Sequence, residues 1–320
     1  MDKNDLMKLL NNVQGGGEDT PKEKRIIMID ALNLFFRNFA VIGTLNSNGA
    51  HVGGLGGFFR SLGALIKNIE ADQVYVVFDG IGGSESRKNI IPEYKSGRRQ
   101  SRITNWEAFD SVEDENDSQI DQIQRIAQYL KTLPVKTIQI DKVEADDVIA
   151  YMGVELAKDP INKIFIVSSD KDYLQLVQEN LIVYRPIEKK YYTPSTILDS
   201  FGCSVENFIL FKLLMGDGSD KIEGLKGLGP KKLYKFFPEL RGKKLGLDGL
   251  LELAESKLGE HILYARLLSD PHGLEKKYKV MDLSKPMIDK NDEKFLDKFM
   301  IEPTPEFLPK IFLKMYNTDN

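Results

Sequence analysis

Short apolar runs that end in acidic residues recur through the first two thirds of this 320-residue chain. The runs at residues 26–29, 74–78 and 164–167 are rich in β-branched and aromatic residues, which predicts buried parallel strands. The acidic positions that follow such runs are Asp30, Asp79, Glu144, Asp146, Asp147, Asp170, Asp172, Asp217 and Asp220. In an open α/β sheet, ligands bind in the crevice beyond the carboxyl ends of the strands. We therefore expect these carboxylates to converge at one edge of a sheet.

The predicted cluster of carboxylates indicates a site for two divalent cations. Mutual repulsion must be neutralised when many carboxylates share a small volume, and hard cations with oxygen ligands do this. Two Mg²⁺ ions, or Mn²⁺ in their place, about 3.5 to 4 Å apart would hold the attacking and leaving oxygens of a phosphodiester in line. The alternative is helix capping, because Asp146 and Asp170 lie near predicted helix starts. Capping does not explain why Asp30 and Asp79 follow strands in the same manner.

The composition fits a soluble globular protein, since 42% of the residues are apolar and 29% are charged. The single cysteine, Cys203, cannot form an internal disulfide, and the three histidines lack zinc-ligand spacing. The charged N-terminus does not resemble a signal peptide, and no apolar run approaches the roughly 18 residues of a membrane helix. We therefore expect a cytoplasmic protein with no membrane partner.

Basic residues are concentrated in two segments although the net charge is −4. Local charge, rather than net charge, decides whether a protein binds nucleic acid. The first segment contains the candidate DNA contacts Arg87, Lys88, Tyr94, Lys95, Arg98 and Arg99. In this segment, Tyr94 is available to stack on a nucleobase, and a basic residue near metal ions can stabilise a charged phosphate. The alternative is a solvated basic loop.

The second basic segment surrounds the sequence Gly-Leu-Gly-Pro at residues 227–230. Proline at a helix start and exposed backbone amides favour binding of an anion, as in a helix-hairpin-helix element that holds duplex phosphates without reading bases. The candidate DNA contacts in this segment are Lys221, Gly224, Gly227, Gly229, Lys231 and Lys232. A tight turn between two helices is the structural alternative.

The order of the predicted elements indicates an α/β sheet followed by a helical region. Strands are predicted at residues 26–29, 74–78, 137–140, 164–167 and 181–184, with helices that include 55–69 and 117–133. We expect a flexible tail at 1–24, a nuclease-type domain at 25–200 and a helical C-terminal region at 201–320. The long polar stretch at about 80–112 is predicted to be a functional or disordered insertion.

Together these motifs resemble the 5′ nuclease family, which includes flap endonucleases, the 5′ nuclease domain of bacterial DNA polymerase I and phage 5′ to 3′ exonucleases. The resemblance runs from about residue 26 to 235. It rests on Phe78-Asp79-Gly80 and on the segments at 94–98, 144–147, 169–172 and 216–229. Within the family, the acidic leader and Asn105-Trp106-Glu107 are most similar to the enzymes called RNase H in T-even phages.

The resemblance implies a PIN-like, mostly parallel sheet flanked by helices, with a helix-three-turn-helix motif at about 205–240. It implies that Asp30, Asp79, Glu144 and Asp146 serve the first metal, and that Asp170, Asp172 and Asp217 serve the second. Asp146 would bridge the metals, and Asp147 and Asp220 would hold waters. Lys95 and Arg98 would be the catalytic basic pair of an arch or gateway at about 80–112. The carbonyls of Gly227 and Gly229 would hold one K⁺ ion.

The resemblance also implies a metal-dependent 5′ to 3′ exonuclease and flap endonuclease. Its substrates would be branched or nicked duplex DNA and RNA–DNA hybrids, with primer removal in replication as its task. A monomer, encoded by a phage in a bacterial host, would act with a single-strand-binding protein or another replication factor. The chain departs from the usual family residues at Lys221, Glu223 and Lys232.

Three alternatives to this function are considered. A non-catalytic DNA-structure-binding protein of the same fold would be expected to lack some of the acids. A phosphatase of the haloacid dehalogenase type needs an acid where Leu32 stands. A small toxin-like ribonuclease would lack the segment at 217–232.

Overall fold

The computed structural model describes residues 23–96 and 102–319. The predicted tail at 1–24 therefore lies almost entirely outside the described residues, as do Arg98 and Arg99. In these two described ranges, no helix has the length and apolar content needed to cross a membrane.

A mostly parallel sheet forms the centre of the protein. Its strands are β1 (Lys24–Asp30), β2 (Gln73–Phe78), β3 (Lys136–Gln139), β4 (Asn162–Val167), β5 (Leu181–Arg185) and β6 (Lys190–Tyr192). Their order is β3-β2-β1-β4-β5-β6, and only β6 is antiparallel to its neighbour in this sheet. The five predicted strands are confirmed, whereas β6 was not predicted because its three residues are too few for a clear alternation.

Helices cover both faces of the sheet. The helices of the described ranges are α1 (Ala31–Phe39), α2 (Gly53–Ile69), α3 (Glu85–Ile90), α4 (Val112–Leu130), α5 (Ala145–Ala157), α6 (Pro194–Phe201), α7 (Phe208–Met215), α8 (Pro230–Phe236), α9 (Gly246–Ser256), α10 (Ile262–Leu267), α11 (Pro271–Met281), α12 (Lys290–Ile301) and α13 (Pro309–Asp319). Because side chains alternate along a strand, Ile27 and Ile29 pack with α1, α2 and α4, whereas Ile26 and Met28 pack with α5 and the C-terminal helices. The predicted α/β fold is confirmed.

Helix α4 begins earlier than the sequence analysis predicts. The predicted start was residue 117, but the helix begins at Val112, and the hydroxyl of Ser111 caps its first turn. Acidic residues occupy that turn, where they interact favourably with the helix dipole. The apolar periodicity of α4 starts later than the helix itself, which explains the difference.

The insertion at about 80–112 is fastened at both ends by buried charged side chains. On its first side, the Arg87 guanidinium of α3 donates to the carbonyl of Val280 at 2.9 Å. On its second side, Glu115 is fully buried and accepts from the backbone amides of Thr104 and Asn105, each at 2.8 Å. The described part of the insertion is therefore attached to the body of the protein where it enters and where it leaves.

The C-terminal region is helical, and its first helices flank the segment predicted to form a helix-three-turn-helix. Helix α7 leads into a two-stranded hairpin, β7 (Gly216–Asp217) and β8 (Ile222–Glu223), and a turn then leads into α8. One hydrophobic core runs from Val183 of the sheet through Phe208 of α7 to Leu250 of α9. This packing places the hairpin and its acids against the sheet edge.

Candidate metal centre

Asp30 lies at the end of β1 and caps α1. Its Oδ1 accepts from the backbone amide of Asn33 at 3.0 Å, and the hydroxyl of Ser168 donates to its Oδ2 at 3.3 Å. The side chain is buried, and burial together with the neighbouring Asp146 raises the pKa of Asp30 well above its usual range. A cation beside this carboxylate would therefore stabilise its charged form.

Asp79 follows β2 and is tied to the start of α5. Its Oδ1 accepts from the backbone amide of Ala145 at 2.7 Å. Burial raises the pKa of Asp79, and this hydrogen bond offsets part of the effect. A Cβ atom at Gly80 would lie 1.7 Å from the carbonyl oxygen of Ile140, so only glycine fits directly after this acid.

Glu144 and Asp147 surround a buried arginine. The Arg87 guanidinium donates to Glu144 Oε2 at 2.7 Å, and to Asp147 Oδ2 and Oδ1 at 2.5 and 2.9 Å. The other oxygen of Glu144 accepts from Lys95 Nζ at 2.6 Å, and the Tyr94 hydroxyl donates to Glu144 Oε2 at 3.2 Å. These five side chains form one network of buried and half-buried charges.

This network corrects part of the sequence interpretation. Arg87 is 2% exposed and Tyr94 is 3% exposed, so neither side chain is available to contact DNA as predicted. Asp147 is also buried, and its Oδ1 additionally accepts from the backbone amide of Met287 at 2.9 Å. Both oxygens of Asp147 are thus engaged by the protein, and its predicted role in holding metal-bound waters stays a prediction.

Asp146 lies between the acids of the neighbouring strands. It raises the pKa values of Asp30, Asp79 and Asp170, although burial is the larger cause in each case. The pKa of Asp170 reaches about 6. The hydroxyl of the fully buried Tyr173 donates to Asp146 Oδ1 at 2.6 Å, which holds the carboxylate in place. The structure therefore brings Asp146 to the centre of the acidic cluster.

A second group of acids lies beside a buried lysine. One oxygen each from Asp172, Asp217 and Asp220 lies within 4.8 Å of the others. Lys212 of α7 forms ion pairs with Asp172 and with Asp217, the latter at 3.0 Å. Burial alone would raise the pKa of Asp217, but Lys212 and hydrogen bonds from Ser219 lower it to about 2.

Sequence analysis missed Lys212 and Tyr173. Lys212 is 5% exposed and is the one charged residue in the apolar helix α7. A lone lysine in such a run was the available signal, because a buried charge needs partners that compensate for its loss of hydration. Tyr173 carries no comparable signal, since its role depends on a contact with Asp146, 27 residues earlier.

These carboxylates fit divalent cations. Mg²⁺ and Mn²⁺ prefer oxygen ligands, and every candidate donor is a carboxylate oxygen. The oxygens of Asp172, Asp217 and Asp220 lie close enough together for this group to be a candidate site for one ion. The raised pKa values of Asp30, Asp79 and Asp170 further indicate a site that favours positive charge.

Exposed basic side chains surround the turn between β8 and α8. The lysines at this surface are Lys221, Lys226, Lys231 and Lys232, and Lys88 of α3 is also exposed. A Cβ atom at Gly224 would lie 2.4 Å from the carbonyl carbon of Met215, which requires glycine at this position. Gly227 has a φ of +90°, which also favours glycine. The turn is therefore compact, with lysines on its outer surface.

Several carbonyls of this turn already accept hydrogen bonds. The carbonyl of Gly229 accepts from the backbone amides of Lys232 and Leu233, at 2.9 and 3.1 Å. Arg266 donates to the Lys226 oxygen at 3.0 Å, and Lys277 donates to the Glu223 oxygen at 2.9 Å. The K⁺ ion at Gly227 and Gly229 stays a prediction.

Comparison with known sequences identifies a family. The family described as 5′-3′ exonuclease, N-terminal resolvase-like domain, matches residues 25–202. A 5′-3′ exonuclease of Aquifex aeolicus is 30% identical over 209 residues, which are 65% of this chain and 67% of that protein. DNA polymerase I of Bacillus subtilis is 27% identical over 248 residues, which are 75% of this chain but only 26% of the polymerase.

Comparison with solved structures shows the same fold. The bacteriophage T5 D15 flap endonuclease, in a pseudo-enzyme-product complex with DNA and metal ions, superposes with a TM-score of 0.68 and 22% identity. The match covers 92% of this chain and 100% of that chain. Human GEN1 in complex with Holliday junction DNA gives a TM-score of 0.55 at 15% identity, over 98% of this chain and 78% of that chain. Because the family match spans more than half of the sequence, this chain belongs to the 5′-3′ exonuclease family.

Proposed function

We propose that the protein is a 5′ to 3′ exonuclease and flap endonuclease that cleaves phosphodiesters at 5′ ends on duplex DNA. The observation that carries this proposal is the convergence of Asp30, Asp79, Asp146 and Asp170 at the sheet edge, close to the triad of Asp172, Asp217 and Asp220. A binding protein without catalysis would have no need for two adjoining groups of buried carboxylates, which are costly without cations.

The carboxylates would position the reaction. Two Mg²⁺ ions, with Mn²⁺ as a substitute, would align the attacking and leaving oxygens of the phosphodiester and stabilise the developing charge. We propose Asp30, Asp79, Glu144 and Asp146 for the first ion, and Asp170, Asp172 and Asp217 for the second. Asp146 lies where its carboxylate could contact both ions, and Asp220 lies beside the ligands proposed for the second ion.

Lys95 lies beside this centre, with its Nζ 2.6 Å from Glu144 Oε1. Burial alone would lower the pKa of Lys95, but Asp146 and Glu144 raise it, so the ammonium stays charged. We propose that it donates to a phosphate oxygen and thereby stabilises negative charge during cleavage. Its present contact with Glu144 would then be shared or exchanged. Arg98, the other member of the predicted catalytic basic pair, lies outside the described residues.

Duplex binding is proposed for the turn between β8 and α8. The backbone at Gly224, Gly227 and Gly229, with Lys231 and Lys232, offers donors and charge for phosphates. Phosphate contacts carry no base information, so RNA primers paired to DNA are proposed substrates as well. Primer removal in replication, together with a single-strand-binding protein or another replication factor, is the proposed task.

A cleavage assay tests this function. A 5′-labelled flap duplex and a blunt duplex, each with DNA or RNA at the 5′ end, are incubated with Mg²⁺ or with EDTA, and the product lengths are resolved. We expect short 5′ products that disappear with EDTA. Tight binding of the flap duplex without cleavage in Mg²⁺ would contradict the proposal and favour a DNA-structure-binding protein.

A further inference from the structure

A partly buried segment of the C-terminal region crosses behind the acidic cluster. Residues 280–288, here called the strap, comprise the last two residues of α11 and the segment that leads toward α12. Val280, Met281 and Leu283 are each 2% exposed, and Asp282 is 6% exposed, so the first part of the strap is buried, whereas Ser284 and Lys285 are exposed. The strap is far from the acidic residues in sequence, but its backbone forms hydrogen bonds with the elements that carry them.

The strap is bonded to the element that carries Glu144 and Asp146. The Val280 carbonyl accepts from Arg87 at 2.9 Å, and the Met287 backbone amide donates to Asp147 at 2.9 Å. Arg87 in turn holds Glu144 at 2.7 Å. The start of α5 is therefore attached to the strap at two points through buried charges.

The strap is also bonded to the turn that carries Asp172. The Gln175 amide donates to the Met281 carbonyl at 2.9 Å, and the Leu283 backbone amide donates to Gln175 Oε1 at 3.0 Å. The same amide group donates to the backbone carbonyl of Asp172 at 2.9 Å. One side chain thus connects the strap with the short 3₁₀ helix at Asp172–Leu176.

We propose that Gln175 is a positioning residue that, through the strap, fixes Asp172 relative to Asp146. The two acids follow different strands, and their elements share the strap as a common support. Tyr173 of the same 3₁₀ helix also contacts Asp146 directly, so Gln175 is a second tether. Without Gln175, Asp172 could shift relative to the strap while Tyr173 and Arg87 kept the start of α5 in place. The second metal site would then lose its geometry first. This inference rests on the proposed function, because it concerns the same metal centre.

Replacement of Gln175 by methionine tests the inference. Gln175→Met keeps the length of the side chain and removes all three hydrogen bonds. Mn²⁺ binding is measured by electron paramagnetic resonance of the free ion, and cleavage of the flap duplex is measured against Mn²⁺ concentration. We expect one Mn²⁺ to bind as in the wild type and the second to bind about 10-fold more weakly, in line with other residues that orient metal ligands. Affinity for the flap duplex without divalent ions should be unchanged.

Two further variants sharpen the test. Gln178→Met is the matched control, because Gln178 is an exposed glutamine three residues further along and should bind both ions normally. Gln175→Leu also removes all three hydrogen bonds and adds no charge, so it should weaken the second ion in the same way. It also provides a readout if Gln175→Met does not fold.

The outcomes separate this inference from the proposed function. Wild-type binding of two Mn²⁺ ions by both Gln175 variants would overturn the inference, as would equal weakening in Gln178→Met. If duplex affinity fell by the same factor as affinity for the second ion, the variant would be damaged generally, and this result would also overturn the inference. A wild-type protein that binds two ions but does not cleave would contradict the proposed function alone.

Discussion

At the residue scale, the acids of the cluster differ in pKa, and the position of Lys212 accounts for part of this difference. Burial and neighbouring acids raise the pKa values of Asp30, Asp79 and Asp170. Asp217 is also partly buried, but Lys212 and Ser219 lower its pKa to about 2. Burial and like charge therefore dominate at Asp30, Asp79 and Asp170, whereas Asp217 has the ammonium group of Lys212 as a counter-ion.

Replacement of Asp170 by asparagine tests this pKa shift. The pKa of Asp170 is about 6 in the folded protein and about 3.9 in an unfolded chain, so its contribution to stability is lost as the pH rises through about 6. The asparagine of Asp170→Asn does not ionise, so the variant does not lose stability in this way as the pH rises. We therefore expect it to raise the melting temperature in EDTA more at pH 7.5 than at pH 4.5. Asp199→Asn, at an exposed position, is the control, and an equal effect at both pH values would contradict the shift.

Replacement of Lys212 by methionine should destabilise the metal-free protein. It leaves Asp172 and Asp217 buried beside each other without a cation, and loss of one partner of a buried ion pair costs about 3 kcal/mol or more. The free energy of unfolding is measured in urea, first with EDTA and then with Mg²⁺, which should narrow the difference. Lys257→Met breaks the more exposed pair with Glu239 and should cost less than about 1 kcal/mol. Equal losses in the two variants would refute the role of Lys212.

The residues also show what a charge pattern in a sequence does and does not reveal. The acids were predictable because they follow apolar runs, which are strands before Asp30, Asp79 and Asp170 and a helix before Asp217. Arg87 and Tyr94 were assigned to the surface because local sequence does not report burial by distant elements such as the end of α11. Lys212 was overlooked because its acidic partners, Asp172 and Asp217, come from separate segments.

At the element scale, strands were more predictable than helix starts and turns. Parallel strands are apolar on both faces, so β1, β2 and β4 appear in the sequence as short continuous runs. The start of α4 was missed because acids occupy its first turn. The turn before α8 was recognised, but its carbonyl contacts with Arg266 and Lys277 depend on packing of the later helices.

Replacement of Lys231 and Lys232 by glutamine tests the turn before α8. Each phosphate contact that is lost should reduce the slope of log affinity against log salt by about 0.9 on duplex DNA. We therefore expect weaker binding and a flatter salt dependence in the double variant, measured by fluorescence anisotropy without divalent ions. Lys310→Gln with Lys314→Gln in α13 is the control with the same change in charge. Identical salt dependence in both double variants would exclude the turn as the duplex contact.

At the scale of the whole molecule, the metal centre depends on contacts that span most of the chain. Asp30 follows β1, Asp146 lies in α5, and Asp217 lies in the hairpin after α7. The strap adds support from residues 280–288, beyond the end of the family match at residue 202. A sequence pattern can locate strand ends, but it does not show which distant segment will pack behind them.

The most direct test of the metal centre is single-turnover cleavage of a flap duplex by Asp146→Ala in Mg²⁺. Asp141→Ala, at an exposed acid five residues earlier, is the matched control. We expect Asp146→Ala to lose at least about 100-fold in rate, since even residues that only orient metal ligands contribute about 10- to 100-fold, while its duplex affinity without metal stays normal. Cleavage by Asp146→Ala at a rate close to that of Asp141→Ala would contradict the assignment of the acidic cluster as the catalytic metal centre.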